Sequence, residues 1–140
     1  MEEDVDAKRD PESSAKRENQ LSGIILDVAI AVHSAIGPGL LESAYQACLA
    51  YELKSRGIKF HAQVPLPIRY REVYLDVSYK MDLLVEDLVV VELKAVERLL
   101  PIHDAQLLSY LKLSEKKLGL LINFHVLRLK DGIRRIANGL

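Results

Sequence analysis

Glu92-Leu93-Lys94 closes the apolar run Leu88-Val89-Val90-Val91. Side chains two apart in an extended strand share a side. Glu92 and Lys94 therefore face the way of Leu88 and Val90, while Val89, Val91 and Leu93 take the other side. Both sides look buried, so a carboxylate and an ammonium stand where desolvation is costly. Taken alone, such a pair reads as a buried ion pair or as a strand end emerging into water. Asp82, amid Met81, Leu83 and Leu84 in the preceding extended segment, adds a second carboxylate to the account.

Register decides whether the two acids meet. A two-residue turn at 86–87 pairs position 82 with 91 and sends Asp82 and Glu92 to opposite faces. A three-residue turn at 86–88 pairs 82 with 92, with Cβ atoms about 4.5–5.5 Å apart on one face. Two carboxylates that close repel unless a proton or a cation lies between them. A hard divalent ion, Mg²⁺ or Mn²⁺, answers that repulsion with oxygen ligation. The odd-length turn is the expectation for this reason.

Two further groups of residues bear on the same chemistry. Glu42 follows Pro38-Gly39-Leu40-Leu41 at the start of a helix, where a carboxylate also complements the macrodipole. Gln106 and Tyr110 lie four apart on one helix face, with His103 about one turn earlier. The plain reading of that set is a polar helix edge.

The positioning elements follow from periodicity. Residues 1–19 hold one bulky aliphatic residue, Val5, and are expected to form a disordered polar tail ahead of a domain spanning 20–140. Ser22 caps a helix through about Ala35, and Ile36-Gly37-Pro38-Gly39 ends it. A second helix runs from Leu40 to about Arg56, stopped by Gly57. The pattern then turns to period two. Lys59–Val64 and Leu66–Tyr70 read as a strand interrupted by prolines, Val73–Leu84 as another and Leu88–Lys94 as a third. Pro101 opens a helix over about Ile102–Leu113, and Leu118–Asn123 is a short apolar strand. Val126–Leu129 and Ile133–Ile136 flank Lys130-Asp131-Gly132 as a hairpin. The order α-α-β-β-β-α-β-β implies an α/β fold, a mixed central sheet flanked by helices.

Gly39-x-x-Glu42-x-x-Tyr45, Asp82, Val90-Val91-Glu92-Leu93-Lys94-Ala95 and Gln106, taken in order, resemble the GxxExxY family of the PD-(D/E)XK nuclease superfamily. Gln106-x-x-x-Tyr110 is also similar to a motif of the RecB-type exonuclease branch. The resemblance covers residues 20–138 and implies a restriction-endonuclease-like core. Met81 stands where the superfamily name suggests a proline. The implied activity is metal-assisted hydrolysis of phosphodiester bonds in DNA or RNA. Asp82, Glu92 and the Leu93 backbone carbonyl would hold Mg²⁺ or Mn²⁺, with Glu42 as a third carboxylate, direct or through water. Lys94 would stabilise developing negative charge. Burial lowers a lysine pKa but three nearby carboxylates raise it, which favours that electrostatic role over a basic one. Gln106 would orient the water or the lysine, and Tyr110 would act beside a phosphate.

Substrate contacts are expected from Arg98, Lys112 and His103, with Arg69, Arg71, Lys116 and Lys117 as further cations that could follow a nucleic-acid backbone; such contacts position without specifying sequence. The chain has no Trp and two Phe, so no base-stacking platform stands out. Tyr45, Tyr51, Tyr70, Tyr74 and Tyr79 read as core or strand-face residues. His33, His61 and His125 lack ligand spacing and read as structural.

Composition bounds the rest. The chain has 140 residues, 49% of them hydrophobic, 28% charged and twelve of them Gly or Pro (7 and 5), which fits one folded domain and excludes global disorder. Its one cysteine, Cys48, excludes a disulfide framework and a cysteine-cluster zinc site. No apolar run approaches the roughly 20 residues of a membrane span, so no membrane association is expected. The acidic start lacks the pattern of a secretory signal, which places the chain in the cytoplasm by expectation. The net charge is −1, with the acid excess in the first twenty residues and the remainder mildly basic. That balance permits a polyanion without demanding one, so substrate capture is expected to draw on a second subunit, as in a homodimer, or on a larger protein partner. The competing readings are a catalytically silent module of the same fold that binds nucleic acid or protein, and a hydrolase of a smaller phosphate ester, for which no Gly-rich phosphate loop speaks. Glu42, Asp82, Glu92, Lys94 and Gln106 are all present, which favours a working nuclease.

Overall fold

A computed structural model describes residues 11–140. In chain order the elements are α1 (Pro11–Ile36), α2 (Glu42–Ser55), β1 (Phe60–Pro65), β2 (Ile68–Tyr70), β3 (Val73–Leu75), β4 (Lys80–Val85), β5 (Val89–Lys94), α3 (Pro101–Ser114), β6 (Leu118–Asn123) and β7 (Ile133–Ala137). Five strands form one mixed sheet in the order β1-β4-β5-β6-β7, parallel only between β5 and β6. This is the α/β architecture the periodicity implied. α3 crosses from β5 to β6, the connection a parallel pair requires.

Two apolar clusters sandwich the sheet. On one side Leu21, Ile25, Val28, Ala29 and Val32 of α1 and Tyr45, Leu49 and Leu53 of α2 pack on Leu83, Val85, Val89, Val91 and Leu93. On the other, Leu107, Tyr110 and Leu111 of α3 pack on Leu84, Val90 and Leu121. β5 is buried from Val89 through Leu93 because helices cover both faces.

Several expectations need correction. The first helix begins at Pro11, not near Ser22, so residues 11–19 of the expected tail are helical; residues 1–10 lie outside the described residues. Leu21 and Ser22 are buried, and Arg17 reaches Glu86 at 2.7 Å, so tertiary contacts hold a stretch with few apolar residues. The segment Ala15–Ile36 is also long and apolar enough to cross a membrane by length and composition. Polar residues interrupt its apolar ones, so no unbroken apolar run marks the segment in the sequence. In the fold its apolar face covers the sheet.

Val73–Leu84 is not one strand. β3 pairs only with β2, as Ile68↔Leu75, Arg69↔Tyr74 and Tyr70↔Val73, and forms a hairpin arm outside the main sheet. Val126–Leu129 is not a strand either. β6 joins β7 through a loop and a 3₁₀ turn at Leu129–Gly132, so Lys130-Asp131-Gly132 is no hairpin tip. Gly132 enters β7 hard against the end of β6, where a Cβ would lie 2.2 Å from the Asn123 carbonyl oxygen.

Candidate active site

The β4–β5 turn has three residues. Leu83 pairs with Val91, Leu84 with Val90 and Val85 with Val89. Glu86 and Asp87 hold left-handed backbones at φ 52° and 58°, and Leu88 N–H donates to the Val85 carbonyl at 3.0 Å. This register sets Asp82 opposite Glu92. There the ladder stops and the carboxylates take the place of backbone acceptors. Asp82 N–H donates to Glu92 Oε2 at 2.8 Å, and Leu93 N–H donates to Asp82 Oδ2 at 2.8 Å. Each side chain satisfies an amide that the parting strands would leave unpaired, and each amide fixes one oxygen of a carboxylate.

Glu92 is 5% exposed. Burial, and after it the charge of Asp82, pushes its carboxyl up to about 8, with Glu42 adding to the rise; the Asp82 amide and Lys94 act the other way. Burial also raises the Asp82 carboxyl, against the Leu93 amide, Lys94 and Gln63. Two adjacent, desolvated carboxylates form a hard-oxygen donor set that carries negative charge at a cost, and a divalent cation removes that cost. The residues present therefore fit such an ion.

Lys94 ends β5 on the same side as Glu92. Its Nζ donates to Gln106 Oε1 at 3.4 Å, and Gln106 Nε2 donates to the Tyr110 hydroxyl at 3.4 Å. The Tyr110 hydroxyl is raised above its ordinary range by burial first and then by the charge of Glu92. Asp82, Glu92, Lys94, Gln106 and Tyr110 thus come from three elements into one neighbourhood.

Glu42 is the outlying member. It is exposed in the first turn of α2, near enough to affect Glu92. Among the described residues, no three of His, Cys, Asp or Glu stand close enough to hold an ion together. The start of α2 is set by Tyr45. Its hydroxyl donates to the Gly37 carbonyl at 2.6 Å and accepts from Leu40 N–H at 3.1 Å, while its ring stacks on Phe124 at 4.4 Å. Gly39 turns the chain with φ +96°, a conformation L residues rarely adopt. This explains the Gly39…Glu42…Tyr45 spacing physically: glycine makes the turn, tyrosine clamps it, and the glutamate is held between them.

Other candidates stand apart from this group, except Leu93, whose backbone lies within it. His103 Nδ1 accepts from Leu100 N–H at 2.9 Å and serves the start of α3. Arg98 is exposed in the loop leaving β5, and Lys112 is exposed in the last turn of α3. Lys116 pairs with Asp87 at 3.0 Å beside the β4–β5 turn, at the end of those strands away from Glu92. The amide of Leu93 serves Asp82, and its side chain is buried in the core. His33 is buried, its Nε2 donating to the Val126 carbonyl at 2.8 Å. Tyr45 is a core residue, whereas Tyr51, Tyr70, Tyr74 and Tyr79 are exposed. Arg69 lies over the Tyr74 ring and Arg71 over Tyr70, which puts paired cations and aromatics on the β2–β3 arm. That arm joins β4 two residues before Asp82.

Sequence reasoning passed over three residues. Asn123, 1% exposed, holds both backbone groups of Val96: Nδ2 donates to its carbonyl at 2.9 Å and Oδ1 accepts from its N–H at 3.0 Å. Together with the bond from Phe124 N–H to the Lys94 carbonyl at 2.9 Å, this pins the chain on leaving Lys94. One polar residue closing the apolar run Leu118–Ile122 was the available signal. Gln63 lies between the pairs Ala62↔Leu83 and Val64↔Met81, opposite Asp82, with φ 53°. A left-handed backbone costs a non-glycine residue of order 1–3 kcal/mol. Its Nε2 donates to Gln46 Oε1 at 2.9 Å and reaches Asp82 Oδ1 at 3.5 Å. No sequence signal marks Gln46 or Gln63.

Searches of curated proteins and of solved structures return no match. The sequence profile of the PD-(D/E)XK nuclease superfamily, whose members typically use divalent metals, matches residues 19–136. That span holds every residue of the fork where β4 and β5 part and more than half of the chain, and the chain belongs to the PD-(D/E)XK nuclease superfamily.

Proposed function

We propose that this protein is a metal-dependent nuclease of the GxxExxY type that hydrolyses phosphodiester bonds in DNA or RNA. One observation carries the reading: Glu92 accepts the Asp82 amide and Asp82 accepts the Leu93 amide at the point where β4 and β5 part, with Lys94 at the same strand end. Asp82 and Glu92 would hold Mg²⁺ or Mn²⁺, with the Leu93 carbonyl as a further oxygen donor and Glu42, which is not close enough to make a third direct carboxylate, acting through water. The ion, when bound, supplies polarisation of the phosphoryl oxygen and a more acidic water.

The chain's own groups do the rest. Lys94 places its ammonium against the negative charge that grows on the phosphate. Gln106, 3.4 Å from that ammonium, fixes its direction, and Tyr110 holds Gln106 in turn. Tyr110 stays a protonated hydroxyl and donor because burial and the neighbouring carboxylates oppose its ionisation. Arg98 beside the strand end, and Arg69 and Arg71 on the arm, supply sequence-independent phosphate contacts.

Cleavage of single-stranded, duplex and flapped DNA and RNA with Mg²⁺ or Mn²⁺ tests this, run beside Lys94→Ala and Asp82→Asn prepared identically. The reading predicts metal-dependent cutting that both substitutions abolish. Cutting that persists in both would belong to a contaminant and contradict the reading. Binding without cutting by the unsubstituted protein would identify a catalytically silent module instead.

A further inference from the structure

We infer that Gln63 is a positioning residue for the carboxylate pair: its side-chain amide ties α2 to Asp82 and sets how that carboxylate faces an incoming divalent cation. The inference rests on the metal reading above and extends it to residues outside the family pattern.

Three observations converge on it. First, Gln63 keeps a left-handed backbone in the middle of an edge strand, although the pairing register is the same on both sides of it. Second, both strands change faces at this point. Leu83 packs with the α1–α2 side and Met81 with the α3 side, while Val64, the partner of Met81, also packs with the α3 side. The kink therefore sits where Asp82 is redirected, as local strand irregularities beside functional sites commonly do. Third, the strained residue spends its side chain on two polar partners. One is Gln46, one helical turn beyond Glu42 on α2, and the other is the Asp82 carboxylate.

α2 thus meets the carboxylate pair through an amide bridge, Gln46–Gln63–Asp82, while Glu42 remains outside the pair. Groups that hold a metal ligand in place typically change affinity by about 10–100-fold when removed. A kink that served only to blunt the sheet edge would not need the amide.

The test is Mn²⁺ binding, read from the electron paramagnetic resonance of free Mn²⁺, with thermal unfolding of the metal-free proteins measured alongside. Gln63→Gly keeps the positive φ without strain and removes the amide. Gln46→Ala breaks the same bridge from its other end. The expected result is about tenfold weaker Mn²⁺ binding in Gln63→Gly, a smaller loss in Gln46→Ala, and a metal-free midpoint for Gln63→Gly equal to or above that of the unsubstituted protein. Unchanged Mn²⁺ affinity in Gln63→Gly would overturn the inference and leave the metal reading intact. Weakened binding that accompanies a lower unfolding midpoint, with Gln46→Ala unchanged, would also overturn it, since Gln63 would then be structural. No Mn²⁺ binding by the unsubstituted protein would remove the metal reading and this inference together.

Discussion

Asp82 and Glu92 each accept a backbone N–H at 2.8 Å from the strand that carries the other. Their carboxylates are locked across the fork in a geometry that brings like charges together. Glu92 accordingly favours its protonated form, with its carboxyl raised to about 8. The folded state then binds that proton more tightly than the unfolded chain does. Its contribution to stability is fully present below the ordinary glutamate value of about 4.5 and is lost as pH rises through about 8. The metal-free protein should therefore unfold at lower temperature at pH 8 than at pH 5, and Glu92→Gln should flatten that dependence. Calorimetric melts across the range check both expectations.

Divalent metal should reverse the trend. The ion takes the deprotonated carboxylates, so it binds more tightly at pH 8 than at pH 6. At a free concentration of about 100 times its Kd, a ligand stabilises the folded state by about 2.7 kcal/mol. The rise in midpoint on adding Mn²⁺ should be larger at pH 8, and chelator should abolish it. Asp82→Asn should show little rise at either pH.

Lys94→Ala should lower cleavage by about 10²–10³-fold, the usual consequence of losing a group aimed at developing charge. Because Lys94 is half-buried and its ammonium donates to the Gln106 side chain, the substitution should leave the fold intact. Lys94→Arg should restore little, since a planar guanidinium does not place charge as an ammonium does. Single-turnover rates with circular dichroism separate the two effects.

Tyr45→Phe keeps the ring on Phe124 but deletes the hydroxyl that joins the Gly37 carbonyl and the Leu40 amide. Each such partly buried hydrogen bond contributes about 0.5–1.5 kcal/mol net. Denaturant unfolding should show that loss. Cleavage should fall as well, because the turn that sets Glu42 loosens.

The β4–β5 fork was legible in the sequence because charge repulsion and register constrain each other: only the three-residue turn lets Asp82 meet Glu92. β5 and β6 were legible because burial on both faces leaves an almost unbroken apolar run. The start of α1 was not, since the pairing of Arg17 with Glu86 and the burial of Ser22 depend on distant parts of the chain that a local window does not contain. Residues 126–129 misled because the apolar stretch is irregular rather than extended: Leu127 is 90% exposed while Leu129 is buried in the core and Val126 packs against it. Val73–Leu84 kept its alternation across a break that only tertiary pairing reveals. Gln63 was hidden for a related reason, since a left-handed glutamine in a strand contradicts its local propensity and is held there by its surroundings.

The most direct test of the central claim is anomalous scattering from crystals grown with Mn²⁺. The account predicts one strong peak in the β4–β5 fork, about 2.1–2.3 Å from a carboxylate oxygen of both Asp82 and Glu92. Full Mn²⁺ occupancy elsewhere with the fork empty would contradict it.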